Sequence, residues 1–228
     1  MRWILMAAAA PLAMALGLAA GAEKAAAQEA LGGVVPGTGE VVAGKSAGDF
    51  LVRLRGLAIV PADRAQIDAI GGDVDISNEY VPEIDFSYFL TDNLALELIA
   101  ATARHDVEAV DTAAGDLDLG KVSHLPPTLL AQWHVAPKQI VSPYIGAGIN
   151  YTIFYDDDPG SDIDSIDYDN SLGWALQAGT DIYLTGNLWL NLDVKYIRIE
   201  SDVEVNNAID AKVDVDPWIF GVGLGYKF

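Results

Sequence analysis

Three histidines, His105, His124 and His134, are the only imidazoles in a chain of 228 residues that has no cysteine. Imidazoles are the side chains best placed to bind zinc or to move protons near neutral pH. His105 and His124 flank one connecting segment and could share a metal. Neither a thiolate nor a tight ligand spacing supports such a site, so no metal is expected. Ser123 adjoins His124, a pairing that suggests a nucleophile and its base. On a strand, neighbouring side chains point to opposite faces, so these two cannot meet. No catalytic constellation remains, and neither an enzyme nor a cofactor is expected. A third cluster is acidic, with aspartates at 156, 157, 158, 162, 164, 167 and 169. A calcium loop needs a mid-loop glycine and a closing glutamate at fixed positions, and the spacing of this segment does not fit that motif. Two readings stand: divalent cations held near surface phosphates, or a solvated, self-repelling loop.

The elements that must position these groups are strands. From Phe228 backwards, Tyr226, Leu224, Val222, Phe220 and Trp218 fall on one face. Lys227, Gly225, Gly223, Gly221 and Ile219 fall on the other. Period two with aromatics at both ends of the greasy face describes a strand that crosses lipid. The same alternation predicts strands over 49–60, 79–90, 93–105, 122–134, 143–155, 170–184, 188–200 and 213–228. Links after the second, fourth and sixth are short. Links after the odd-numbered strands are long and rich in Asp, Gly and Ala. Short periplasmic turns and long external loops are the usual asymmetry of an outer-membrane barrel. The expected fold is all-β: an eight-stranded, antiparallel, up-and-down transmembrane barrel spanning 49–228.

Composition agrees. Hydrophobic residues make up 51% of the chain, yet its formal net charge is −20. A barrel reconciles the two, with apolar groups facing lipid and acids in loops and lumen. The acidity also excludes nucleic acid as a partner. Residues 1–27 read as a signal peptide: Arg2, an apolar Ala- and Leu-rich stretch, and Ala25-Ala26-Ala27 before Gln28. Ala20-Gly21-Ala22 is a second cleavage candidate, and a membrane anchor is the competing reading. Residues 28–48 are Gly-rich and aperiodic and read as a flexible lead-in.

Parity assigns the lumen. Arg53, Arg55, Asp85, Glu97, Asp181, Asp193 and Lys195 face inward near and below mid-barrel. Isolated ions there would cost many kcal/mol, so a salt-bridged polar belt is expected. Its role is either structural or linked to transport. Toward the external end the inward positions become Leu57, Ile59, Val81, Phe154, Ile197 and Ile199. Such a cup either packs shut or holds a small hydrophobic ligand.

Several segments resemble the outer-membrane protein W (OmpW) family. They are Thr91 to Thr102, His124 to Trp133 with its Leu125-Pro126-Pro127-Thr128, Pro143 to Thr152, and Asp216-Pro217-Trp218-Ile219-Phe220 leading to Phe228. The resemblance implies a Gram-negative outer-membrane barrel with a narrow apolar lumen. It also implies a role in moving small hydrophobic molecules, with lateral release into the bilayer. Pro126 and Pro127 each remove a ladder donor, so a side gap is expected beside them. The terminal Phe228 looks like the signal read by barrel-assembly machinery, and outer-membrane lipids are the surrounding partner. The alternative function is a structural or interaction barrel that displays acidic loops for surface receptor or adhesion contacts.

Overall fold

The computed structural model describes residues 42, 44–62, 64–67, 73–113, 115–206 and 209–228. The expected leader, 1–27, lies outside them, as does most of the expected lead-in. In chain order the strands begin β1 (Phe50–Val60), β2 (Arg64–Ile67), β3 (Asp73–Ile76), β4 (Glu79–Phe89) and β5 (Leu94–Ala101). They continue β6 (Ala103–Val110), β7 (Leu117–Leu125), β8 (Thr128–His134), β9 (Val141–Pro159) and β10 (Ile166–Tyr168). The last are β11 (Ser171–Thr185), β12 (Leu188–Ile197), β13 (Glu200–Val205), β14 (Ile209–Asp214) and β15 (Trp218–Lys227).

Eight of these close into a barrel in the order β1-β4-β5-β8-β9-β11-β12-β15, with β15 returning to β1 and every pairing antiparallel. Closure leaves neither side of the sheet as a free edge, which is why such a chain can cross a membrane with strands. Outward positions of the wall are exposed and apolar, including Leu96, Leu98, Ile145, Ile149, Leu172 and Leu176. Two aromatic girdles bound it. On the external side Trp174, Tyr196 and Trp218 follow one another at 5.5 and 5.2 Å between ring centroids. On the periplasmic side Phe50 packs against Phe86 and Phe228, and Tyr226 packs edge-on to Phe228. Above the external girdle the outward residues of β6 turn polar, with Arg104, Asp106 and Glu108 exposed. β6 and β7 therefore stand beyond the hydrocarbon.

The long external links are where the structure departs from expectation. They are largely sheet. β3, β6, β7 and the outer part of β9 pair side by side; β10, β13, β14 and β2 form a second four-stranded sheet. The two sheets share an apolar core of Val74, Ile76, Val107, Val122, Ile166, Val203, Val205 and Val213. Acids hide this pattern. In Asp73-Val74-Asp75-Ile76 and Glu200-Ser201-Asp202-Val203-Glu204-Val205 the burial alternates strictly, with the acids outside. The predicted strand 93–105 is split at Thr102 into β5 and β6, and 122–134 is split at Pro126-Pro127 into β7 and β8. The acidic run from Asp156 to Asp169 is likewise not all loop, since β9 continues to Pro159 and β10 follows at Ile166–Tyr168.

A second departure lies at the chain's start. The described end of the lead-in is not free. Val42 packs with Tyr183 and Trp189 inside the periplasmic mouth, and Lys45 is wholly buried. The Lys45 amide donates to the Pro137 carbonyl at 2.8 Å, and the Ala47 amide donates to the Asp92 carboxylate at 3.1 Å. The bond from Lys138, with that from Ala47, holds the Asp92 carboxyl below the usual carboxylate range. What anchors this described end is Lys45, whose charge finds the buried Asp181 carboxylate inside the barrel.

Candidate functional site

The register of the barrel places the inward ions before any side chain is considered. Arg53 stands opposite Asp85 on β4 and Gly225 on β15; Arg55 stands opposite Glu83 and Gly223. Opposite residues of an antiparallel pair share a face, so each arginine has a carboxylate on one side and a glycine on the other. The glycines make room. A Cβ on Gly223 would lie 2.8 Å from the Arg55 Cγ, and one on Gly225 would lie 3.1 Å from the Arg53 Cγ. The small face of β15 is thus the space into which the two guanidinium stems fold.

The result is a closed ionic floor. Arg53 bonds Asp85 and Ser87 at 2.8 Å, Glu97 at 3.2 Å, and Asp181 through two donors at 3.0 and 3.1 Å. Arg55 reaches Glu83 at 2.7 Å, Asp85 at 2.8 Å, Glu97 at 3.1 Å and Asp193 at 3.5 Å. Lys195 pairs with Glu83 at 2.7 Å. Beneath them the Lys45 ammonium donates to Asp181 at 2.6 Å and to Ser142 at 2.9 Å, and lies 4.8 Å over the Trp189 ring. All seven residues expected in the belt are buried and come together here. Glu83 and Lys45 join them unforeseen. Glu83 carried a readable signal, since it shares the parity of Val81 and Asp85. Lys45 carried none, because it lies outside any strand.

Above the floor the lumen is apolar. Leu57, Ile59, Ile197 and Ile199 are buried in one cluster with Ile99, Leu130 and Ile219, and Val81 and Phe154 pack against it. All six residues of the expected cup therefore share one neighbourhood. The cup does not fill completely. A small cavity of about 30 Å³ lies among Leu57, Ile99, Ile197 and Ile219. A larger one of about 160 Å³ lies in the external tier, walled by the valines and isoleucines of its two sheets. His124 and Ile199 line both cavities and so belong to the wall of each.

The structure brings His124 and His105 together as a pair of rings. The two rings stack face to face, with centroids 5.1 Å apart and planes 7° from parallel. Among the described residues no group of three or more His, Cys, Asp or Glu could hold an ion. Burial, and then the neighbouring His105, push the His124 imidazole down to about 3, so it is neutral. His134 lies apart in the periplasmic half, against Phe89 and Tyr144.

The two prolines sit at a break in the wall. The β5–β8 ladder ends at Ile99 opposite Thr128, and the β6–β7 ladder resumes at Ala103 opposite His124. Residues 100–102 and 125–127 carry no ladder pairing between them. On the other side β9 stays attached, with the Tyr151 amide donating to the Pro127 carbonyl at 3.1 Å. The small cavity reaches this break, touching Thr102, Pro126 and Thr128. A second interruption, at 215–217 between β14 and β15, is clamped. Asp216 accepts from the Tyr196 hydroxyl and the Ile199 amide, each at 3.1 Å, and from Arg198.

Comparison with known proteins agrees with this architecture. An uncharacterized outer-membrane protein, y4mB, of Sinorhizobium fredii is 39% identical over 200 residues, covering 86% of each chain. Outer membrane protein W of Escherichia coli is 36% identical, over 80% of this chain and 89% of its own. The crystal structure of the outer membrane protein OprG from Pseudomonas aeruginosa superposes with a TM-score of 0.75 at 29% identity, over 82% of this chain and 99% of that one. The profile of the OmpW family matches residues 46–228. The eight-stranded wall, its two girdles and these relatives make the chain a Gram-negative outer-membrane barrel, and it belongs to the OmpW family.

Proposed function

We propose that this barrel admits small hydrophobic molecules from outside the cell into its apolar upper lumen and releases them sideways into the bilayer. One observation carries the reading: an apolar, incompletely filled lumen rests on an ionic floor and adjoins a break in the wall. Apolar cargo gains nothing from a floor of paired ions, and crossing it would strip charges of partners at several kcal/mol each. The unpaired stretch beside Pro126 and Pro127 offers a lower barrier, because no ladder hydrogen bonds need break there. The interruption held by Asp216 and Arg198 is the less suitable exit for the same reason. The reading contains no reaction, no cofactor and no metal.

The test uses the absence of native cysteine. The flanking registers, 99 with 128 and 103 with 124, place Ala101 opposite Pro126. A disulfide between Ala101→Cys and Pro126→Cys staples the break. Cells carrying it should take up toluene no faster than cells lacking the protein, and dithiothreitol should restore the wild-type rate. Unchanged uptake by the stapled barrel rules out this exit. Planar-bilayer conductance of the wild type should be small; large unselective currents would mean that the floor is open. A Phe154→Asp, Ile197→Asp barrel should fold but lose binding of an apolar ligand. If the wild type also binds none, a barrel that only displays its loops is the better reading.

A further inference from the structure

His124 is the one polar side chain that lines both cavities, and its ring makes no hydrogen bond among the described residues. Its ring stacks on that of His105, and the Phe154 ring lies tilted to it at 6.1 Å. The residue lines both cavities although it is only 7% exposed. A buried polar group without a partner is costly and uncommon in a native protein. The walls of the larger cavity are mainly aliphatic, and the hydroxyls of Thr152 and Ser201 in them already donate to Asn150 and to the Asp169 carbonyl, so a lone water would find few of the two to four partners it needs. The larger cavity, about 160 Å³, is close to the size of an engineered apolar cavity, roughly 150 Å³, that stays dry and takes benzene.

We infer that the lumen prefers compact apolar molecules carrying a single hydroxyl group, and that His124 is the residue that reads that group. A neutral imidazole presents one N–H donor and one nitrogen acceptor, and a hydroxyl can complement either. A hydrocarbon satisfies neither. A carboxylate is disfavoured because it would enter an apolar tier without a free cation. Lys195, which borders the smaller cavity, already has both oxygens of Glu83 at 2.8 and 2.7 Å. Asp162 at the margin of the larger cavity adds repulsion. This inference rests on the hydrophobic-uptake reading above and narrows it to a chemical class.

Three probes of one shape separate the cases: toluene, benzyl alcohol and benzoate. The mature barrel, labelled with ¹⁵N-histidine in lipid nanodiscs, is titrated with each. Benzyl alcohol should bind at least tenfold more tightly than toluene and shift the His124 ring nitrogens. Benzoate should bind more weakly than both. In His124→Phe the alcohol-to-toluene ratio should fall to near one. Saturable toluene binding with no preference for the alcohol in the wild type overturns the inference and leaves hydrophobic uptake standing. So does a preference that survives in His124→Phe. Saturable binding of none of the three overturns both readings. The wild-type ring shift decides the matter even if the variant does not fold: an unmoved His124 resonance under saturating alcohol excludes the contact.

Discussion

The lower and upper halves of this lumen are built from the same inward parity and solve opposite problems. Below, four cations (Lys45, Arg53, Arg55 and Lys195) meet five carboxylates (Glu83, Asp85, Glu97, Asp181 and Asp193) within 3.5 Å of one another's charged atoms. Above, two small sheets bring valines and isoleucines together around a cavity and leave the His124 imidazole without a hydrogen bond among the described residues. The floor is specific because each ion is over-determined by several partners. The roof is permissive because dispersion and the hydrophobic effect have no direction. A narrow barrel can therefore be sealed by charge at one end and stay accommodating at the other, with the wall break placed where the two regimes meet.

The comparison is broken most severely at Asp181, which serves both Lys45 and Arg53. Asp181→Ala leaves two buried cations short of a partner and should cost about 3–5 kcal/mol. Urea unfolding of the barrel in lipid vesicles measures it, and a loss under 1 kcal/mol would mean that water already reaches the floor. Lys45→Met is the milder version. Arg53 keeps its two bonds to Asp181 at 3.0 and 3.1 Å, so only the lysine's own charge-assisted bonds go, worth about 1.5–3 kcal/mol. If Lys45→Met proves the costlier of the two, the chain's start holds the floor together rather than merely capping it.

How much of this was legible follows from which signals are local. The wall was legible because lipid on one side forces period two with apolar residues on one parity, and strands such as Leu188–Ile197 show it without interruption. The belt was legible for the same reason: Arg53, Asp85 and Glu97 stand out on a face that must otherwise be small or polar. The external tier was not. Its strands alternate aspartate with valine, and water on the outer face makes that pattern resemble an acidic loop. Lys45 could not be placed, because nothing in Gly44-Lys45-Ser46 states that its partner is Asp181, 136 residues away. For His124 the sequence raises a metal shared with His105 and a dyad with Ser123, and supports neither. Adjacency to Ser123 and distance from His105 in sequence say nothing about ring stacking, which depends on β6–β7 register.

The upper tier has its own test in pH. His124 titrates near 6.5 when unfolded and at about 3 when folded. The unfolded chain therefore binds the extra proton between those values, so stability is fully present above about pH 6.5 and is lost as pH falls toward 3. From pH 7 to pH 5 the loss from this residue should be about 2 kcal/mol. Carboxylates titrate in the lower part of the same range, so the measurement is the difference in slope between wild type and His124→Phe. Equal slopes would show that the imidazole is hydrated in the folded state.

The smallest effect is expected on the outer face of that same tier. Arg104 on β6 pairs with Asp158 on β9, but their side chains are 47% and 68% exposed. Water and salt screen such a pair, and holding two long side chains in place costs entropy. Arg104→Ala should therefore change stability by less than about 1 kcal/mol, and the difference should vanish in high salt. A larger, salt-insensitive loss would show that the charged skin of the extension helps to hold its two sheets around the cavity. Charge would then organise the roof as well as the floor, and the division between the two halves of the lumen would be one of degree.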